Sequence, residues 1–191
     1  QIETYTRQFC KFSIIILMKL NKNLILIGNM AVGKTVIGRL LAKKLNLKFY
    51  DSDLIIEKKA KMKIFEIFEK KGELIFRNLE KKIILNLLKK SNSIISFGGG
   101  AFMNNVIRKK AQKNCLTIWL KQDPKILINR IKKNNKRPIA SNLSDDELEN
   151  LIISRSKIYE KAQYKINCKN MEKNEIVNKI IRELKYESFN P

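Results

Sequence analysis

Histidine is absent from this 191-residue sequence. No imidazole base can therefore operate, and most zinc sites lose their usual ligand. Cysteine is scarce: Cys10, Cys115 and Cys168 are far apart and odd in number. Without a Cys-x-x-Cys pair, neither a disulfide framework nor a thiolate metal cluster fits, and a reducing cytoplasm is the expected location. Long apolar runs are missing as well. The stretch from Phe12 to Leu17 is too short to cross a bilayer, and Lys19 and Lys22 interrupt its continuation. No small-residue cleavage site follows it. Met18 is expected to open the functional chain, with residues 1–17 a poorly ordered extension and 18–191 a single domain. No internal repeat or low-complexity linker is found.

Acidic residues are few. Asp+Glu 18 against Lys+Arg 40 leaves a net charge of +22 and a pI near 10.0. A polyanionic partner is one reading of that excess. The lysines, however, are scattered, with no basic block and no interleaved aromatics of the kind nucleic-acid modules carry. Abundant lysine, asparagine and isoleucine point instead to compositional drift, and the expected partner is an anionic small molecule. Neither a specific nucleic acid nor a membrane is expected, and the chain is read as a monomer. Arginine is the sharper signal: only eight of the 40 basic residues are arginine. Each marks a position where a planar fork suits a carboxylate or phosphate.

Hydrophobic periodicity alternates along the chain. Strand patterns occur at Leu24–Ile27, Phe49–Tyr50, Ser93–Phe97, Cys115–Leu120 and Tyr164–Cys168. Helical patterns occupy Val36–Leu45, Leu54–Phe68, Glu73–Leu88, Asn104–Gln112, Pro124–Ile131, Asp145–Ala162 and Glu172–Tyr186. Ser144 with Glu147 three residues on forms a capping box. Strand alternating with helix implies a parallel sheet covered on both faces, with ligands at the carboxyl ends of its strands.

Gly28-Asn29-Met30-Ala31-Val32-Gly33-Lys34-Thr35 fits the phosphate-binding pattern G-x-x-x-x-G-K-[ST], with a strand before it and a helix after. The backbone from Ala31 through Gly33 to Val36, with the helix's positive end, surrounds phosphate oxygens. Lys34 reaches the terminal phosphates, and the Thr35 hydroxyl suits Mg²⁺. Two of the five aspartates stand together in Asp51-Ser52-Asp53. If that stretch is extended, both carboxylates point the same way, one toward a metal and one toward substrate. The alternative is a helix cap supplied by Ser52 or Asp53.

Arg77 and Glu80 lie at i and i+3 on one helical face, as a substrate fork or a surface ion pair. Gly98-Gly99-Gly100 permits close backbone approach to a ligand, or simply a tight turn. Arg130 and Arg137 bracket a lysine- and asparagine-rich stretch suited to a mobile cover. Arg155 sits inside the next helix.

The ordered set P-loop, D-x-D, G-E-x-x-F-R-x-x-E, G-G-G, R-P and R-x-x-x-Y resembles the shikimate kinase family over roughly residues 23–184. The resemblance implies a three-layer α/β P-loop kinase sandwich with a five-stranded parallel sheet and a mobile lid at about 132–143. It implies Mg²⁺-dependent transfer of the ATP γ-phosphate to the 3-hydroxyl of shikimate, a step toward chorismate and the aromatic amino acids. Asp53 would then grip the ring hydroxyls, and Arg77 and Arg155 the carboxylate. Gly98, Gly99 and Gly100 would border the substrate, with Gly99 donating a backbone N–H. Asp51 would join Thr35 around Mg²⁺, Arg137 would meet the phosphates, and Arg130 would stack on adenine. The catalytic roles fall to Lys34, Asp53 and Arg137. The competing readings are another small-molecule P-loop kinase, of gluconate or nucleotide type, and a basic nucleic-acid-binding protein.

The sequence departs from the family pattern in places. Ala31 stands where glycine is usual and is expected to fit with φ below zero. Val36 replaces a hydroxyl residue, Lys157 a frequent proline, and Ile139-Ala140 a pair of leucines. None of these removes a catalytic atom.

Overall fold

Leucine and isoleucine fill β1 (Asn23–Ile27) after its first residue, and all five of its residues are buried. A strand apolar on both faces requires cover on both. Leu24 and Leu26 pack into one core with Ile37, Leu41, Ile118 and Ile166. Ile25 and Ile27 enter the other, with Ile84, Ile95, Phe97 and Trp119. The period of two thus divides the interior into two halves, one against each face of the sheet. The computed structural model describes residues 22–133 and 143–189.

The remaining strands are β2 (Lys48–Asp51), β3 (Ser93–Ser96), β4 (Cys115–Lys121) and β5 (Tyr164–Asn167). All pairings are parallel, in the order β2-β3-β1-β4-β5. From β1 the chain runs first to one side of the sheet and then to the other, which opens a crevice at the carboxyl end of β1. Register decides what meets there. Asp51 pairs with Ser96, and Ser96 with Leu26. The ends of three strands therefore lie in one row, and the segments after them emerge side by side.

The helices are α1 (Lys34–Leu45), α2 (Ser52–Ala60), α3 (Ile64–Leu87), α4 (Asn105–Asn114), α5 (Pro124–Lys132), α6 (Asp145–Tyr159) and α7 (Lys173–Phe189). A short 3-10 turn, Ala101–Met103, precedes α4 and had no periodic signal. The helical pattern expected from Leu54 to Phe68 is two helices. Lys61, at φ 52, ends α2 in the left-handed region. No proline or glycine marks that break, and apolar Ile64, Phe65 and Ile67 carry the pattern across it. The boundary expected before Glu73 survives as a kink in α3 at Gly72, with φ 81 and ψ 164. That backbone region is open essentially only to glycine. The kink sets the direction of the α3 half that carries Arg77 and Glu80. The capping box at α6 is present as expected: Ser144 Oγ accepts from the Glu147 N–H, and the Glu147 carboxylate from the Ser144 N–H.

Candidate active site

The glycine-bearing loop leaves β1 at Gly28 and enters α1 through Gly33. Gly28 has φ +145, and a Cβ there would sit 2.7 Å from the Leu120 carbonyl oxygen. Gly33 is the N-cap of α1 at φ 101, and the first turn of α1 has no acidic side chain. The N–H groups of that turn and the helix dipole therefore favour an anion. Lys34 is buried beneath the loop, and its Nζ donates to the carbonyls of Gly28 at 2.8 Å and Asn29 at 2.9 Å. Val32 is 4% exposed and packs in the core, so only its backbone faces the loop interior. Val36 is exposed on α1. Arg130, in the last turn of α5, donates to the Ala31 carbonyl at 3.4 Å.

Ala31 overturns one expectation. Its φ is 61, not below zero, so an L-residue occupies the conformation that glycine adopts without a Cβ penalty. The left-handed region costs a non-glycine residue about 1–2 kcal/mol.

The aspartate pair also differs from an extended stretch. Asp51 ends β2 and is itself the N-cap of α2, accepting from the N–H groups of Asp53 at 3.0 Å and Leu54 at 3.3 Å. Ser52 and Asp53 are already helical, so the two carboxylates diverge. Thr35 donates its hydroxyl proton to Asp51 Oδ2 at 2.6 Å, which joins Asp51 to the phosphate loop. Asp53 turns to the glycine turn after β3. A Cβ on Gly98 would lie 2.3 Å from Asp53 Oδ1 and 3.2 Å from Glu80 Oε1. The cap is therefore Asp51 rather than Ser52 or Asp53, and the same carboxylate meets Thr35.

The same turn gathers the arginines. A Cβ on Gly100 would lie 2.8 Å from Arg77 Nη1; one on Gly99 would lie 3.6 Å from Arg155 Nη1 and 3.4 Å from the Met30 nitrogen. A side chain at Gly98 would meet Asp53 and one at Gly100 would meet Arg77, whereas one at Gly99 would make ordinary contact with Met30 and Arg155. Arg77 is held by Glu80 at 2.9 Å and Glu73 at 3.1 Å, and its guanidinium lies over the Phe76 ring. Burial pushes the Glu80 carboxyl above its ordinary range, and Arg77 offsets only part of that. Burial also lowers the Arg155 pKa, with the Arg77 charge adding to the effect. Two guanidiniums from different helices share this pocket, which favours an anionic group.

Arg137 and nearly all of the expected lid lie outside the described residues. The sequence motifs gave no site role to three residues that meet here: Asn29 within the phosphate loop, Ser52, expected only as a possible helix cap, and Tyr159, which ends the R-x-x-x-Y pattern. Asn29 Nδ2 donates to the Ile152 carbonyl and to Ser156 Oγ of α6, each at 3.4 Å. Ser52 Oγ accepts from the Gly98 N–H at 2.8 Å. The Tyr159 hydroxyl donates to the Gly99 carbonyl. Only Tyr159 had a legible signal, being four residues from Arg155 on one helix face.

Comparison with known proteins decides between the kinase readings. The family model described as shikimate kinase matches residues 30–185. The chain belongs to the shikimate kinase family. A shikimate kinase of Bartonella henselae is 42% identical over 167 residues, covering 87% of this chain and 80% of the relative. The crystal structure of shikimate kinase from Aquifex aeolicus matches at TM-score 0.80 and 34% identity, over 88% of this chain and 99% of that one. The shikimate kinase from Acinetobacter baumannii in complex with shikimate matches at TM-score 0.82 and 28% identity, over 87% and 94%. The family's sandwich of helices about a five-stranded parallel sheet is the fold described above, and the chain is an enzyme of the P-loop kinase class. Among the described residues, no helix is long and apolar enough to cross a membrane.

Proposed function

We infer that this kinase transfers the γ-phosphoryl group of ATP to the 3-hydroxyl of shikimate, giving shikimate 3-phosphate. The observation that carries the assignment is the Gly98–Gly100 turn: Asp53 and Glu80 approach it at Gly98, Arg155 and the phosphate-loop residue Met30 at Gly99, and Arg77 at Gly100. A polyol acid needs guanidinium forks for its carboxylate and a carboxylate for its hydroxyls. Both lie here within reach of a triphosphate cradle. Arg77 and Arg155 bind the carboxylate. Asp53 orients the attacking hydroxyl and takes its proton, since no histidine exists to do so.

Lys34 and the N–H groups at the start of α1 hold the phosphates in line with that hydroxyl. Such alignment and charge neutralisation supply most of what phosphoryl transfer asks of a protein. Arg130 is assigned to the nucleotide from its place beside Ala31, and Arg137 to the phosphates from its sequence motif.

The donor set fits Mg²⁺. A hydroxyl and a carboxylate, Thr35 and Asp51, meet at the edge of the phosphate loop, and hard oxygen ligands suit that ion. Among the described residues no cluster of three or more Cys, Asp or Glu could hold a metal, and Mg²⁺ ordinarily completes its shell from water and phosphate. Thr35 would hold the ion and Asp51 would support it; when bound with ATP it neutralises charge on the transferring group.

The test is ADP release with ATP and Mg²⁺, compared across shikimate, gluconate and nucleoside monophosphates. Turnover that depends on shikimate and is lost with EDTA is the expected result. Equal or greater turnover with gluconate or a nucleotide overturns the assignment.

A further inference from the structure

The glycine turn has a hydrogen-bond pattern with two openings. The Gly98 N–H is taken by Ser52 Oγ at 2.8 Å. The Gly98 carbonyl accepts from the Ala101 N–H at 3.1 Å, and the Gly100 carbonyl from the Met103 N–H at 3.0 Å. The Gly99 carbonyl accepts from the Tyr159 hydroxyl. Among the described residues, the N–H groups of Gly99 and Gly100 donate to nothing in the protein. Both residues are half-exposed, whereas Gly98 is buried.

We propose that Ser52 and Tyr159 are positioning residues for the acceptor substrate: from opposite sides they pin the turn so that its two uncommitted N–H groups stay available to shikimate. The inference rests on the functional reading above and adds to it how the turn is held. Ser52 is fully buried and begins α2, between the two aspartates. Its hydroxyl ties the carboxyl end of β2 to the turn after β3. Tyr159 is 1% exposed, with ring centroids 6.1 Å from Trp119 and 6.3 Å from Phe102.

That packing fixes the phenol, and a buried phenolic hydroxyl needs a partner. The Gly99 carbonyl is that partner. Burial also pushes the Tyr159 pKa up, so the phenol stays protonated and able to donate at neutral pH. Because Arg155 lies one turn before Tyr159 on α6, the same bond sets the distance between the Arg155 fork and the turn. A flexible turn would have to be ordered whenever substrate binds, and prior ordering removes that cost.

The experiment uses the full chain. Tyr159→Phe keeps the ring packing and removes only the hydroxyl; Ser52→Ala removes the other anchor. Steady-state ADP release is measured with shikimate and ATP varied separately, alongside thermal melting. Each variant should raise the shikimate KM about tenfold, a loss of ~1.4 kcal/mol in binding. The ATP KM and kcat should stay within about twofold, because the phosphate loop is untouched. An active wild type whose Tyr159→Phe variant keeps its shikimate KM overturns the inference alone. So does a variant in which the ATP KM rises as much as the shikimate KM, since that marks a general loss of structure. If Tyr159→Phe does not fold, Ser52→Ala decides by the same criteria. A wild type that turns over no shikimate overturns the functional reading, and this inference with it.

Discussion

Replacing Glu80 with glutamine separates two effects that its pairing with Arg77 combines. Glu80 is 2% exposed and accepts from Arg77 Nη1 at 2.9 Å. Burial raises its pKa, and the Arg77 charge and hydrogen bond restore only part of what is lost. Arg77 keeps 34% of its side chain in solvent. Burial alone would lower its pKa, but Glu80 and Glu73 hold it above the ordinary value. The pair is lopsided: the carboxylate gives up nearly all its hydration while the guanidinium gains a partner.

A carboxyl whose folded pKa exceeds its unfolded one contributes stability below the unfolded value and loses it as pH rises through the folded one. At neutral pH the Glu80 charge therefore weighs against the fold. Desolvating the carboxylate costs several kcal/mol, against about 1.5–3 kcal/mol from the charged hydrogen bond. Glutamine avoids the first and keeps a hydrogen bond worth about 0.5–1.5 kcal/mol.

Glu80→Gln should thus stabilise the protein by about 1 kcal/mol at neutral pH, or ~2–4 °C in Tm for a chain of this size. The gap should close as pH falls below the ordinary carboxylate value of 4.5, where the native side chain is neutral too. The same variant should raise the shikimate KM about tenfold, because the Arg77 fork loses its charged anchor. Melting from about pH 4 to about pH 8 with parallel kinetics makes the test. A lower Tm for Glu80→Gln at neutral pH, or a gap that persists in acid, would refute the reasoning.

Asp53→Asn should lower kcat by about 10²–10⁴-fold with ATP affinity unchanged by fluorescent nucleotide titration, as loss of a base predicts. Weakened ATP binding would instead remove Asp53 from its assigned role. Arg77→Lys should raise the shikimate KM at least ~tenfold, since a point charge cannot replace a fork held at Nε and Nη1; an unaltered KM takes Arg77 out of the site. Ala31→Gly should relieve about 1–2 kcal/mol of left-handed backbone strain, offset by about 0.4–1 kcal/mol of unfolded-chain entropy. The net gain of ~0.5 kcal/mol should appear as a Tm rise of about 1–2 °C, and a fall in Tm contradicts it.

Much of the fold could be read from one dimension, because strands and helices obey local periods. The apolar run in β1, the glycines bracketing Lys34 and the Ser144–Glu147 box each state their structure within a few neighbours. The break at Lys61 was not legible, because a lysine entering the left-handed region leaves no compositional mark. Nor was the conformation of Ala31, which is imposed by the loop around it rather than by its own preference.

The motifs by themselves determined which residue types this protein brings to its candidate site: the glycines, Lys34 and Thr35 of a phosphate loop, two neighbouring aspartates, and arginines kept in a lysine-rich chain. Those identities are local and survive without coordinates. Tertiary structure alone decided how the pieces meet. Parallel register brings Asp51, Ser96 and Leu26 into one row, and helix packing brings Arg77 and Arg155 to the same glycine turn. It also decided that Ser52 and Tyr159 hold that turn, since a hydrogen bond between residues sixty positions apart depends on how sheet and helices pack and leaves no trace in local spacing.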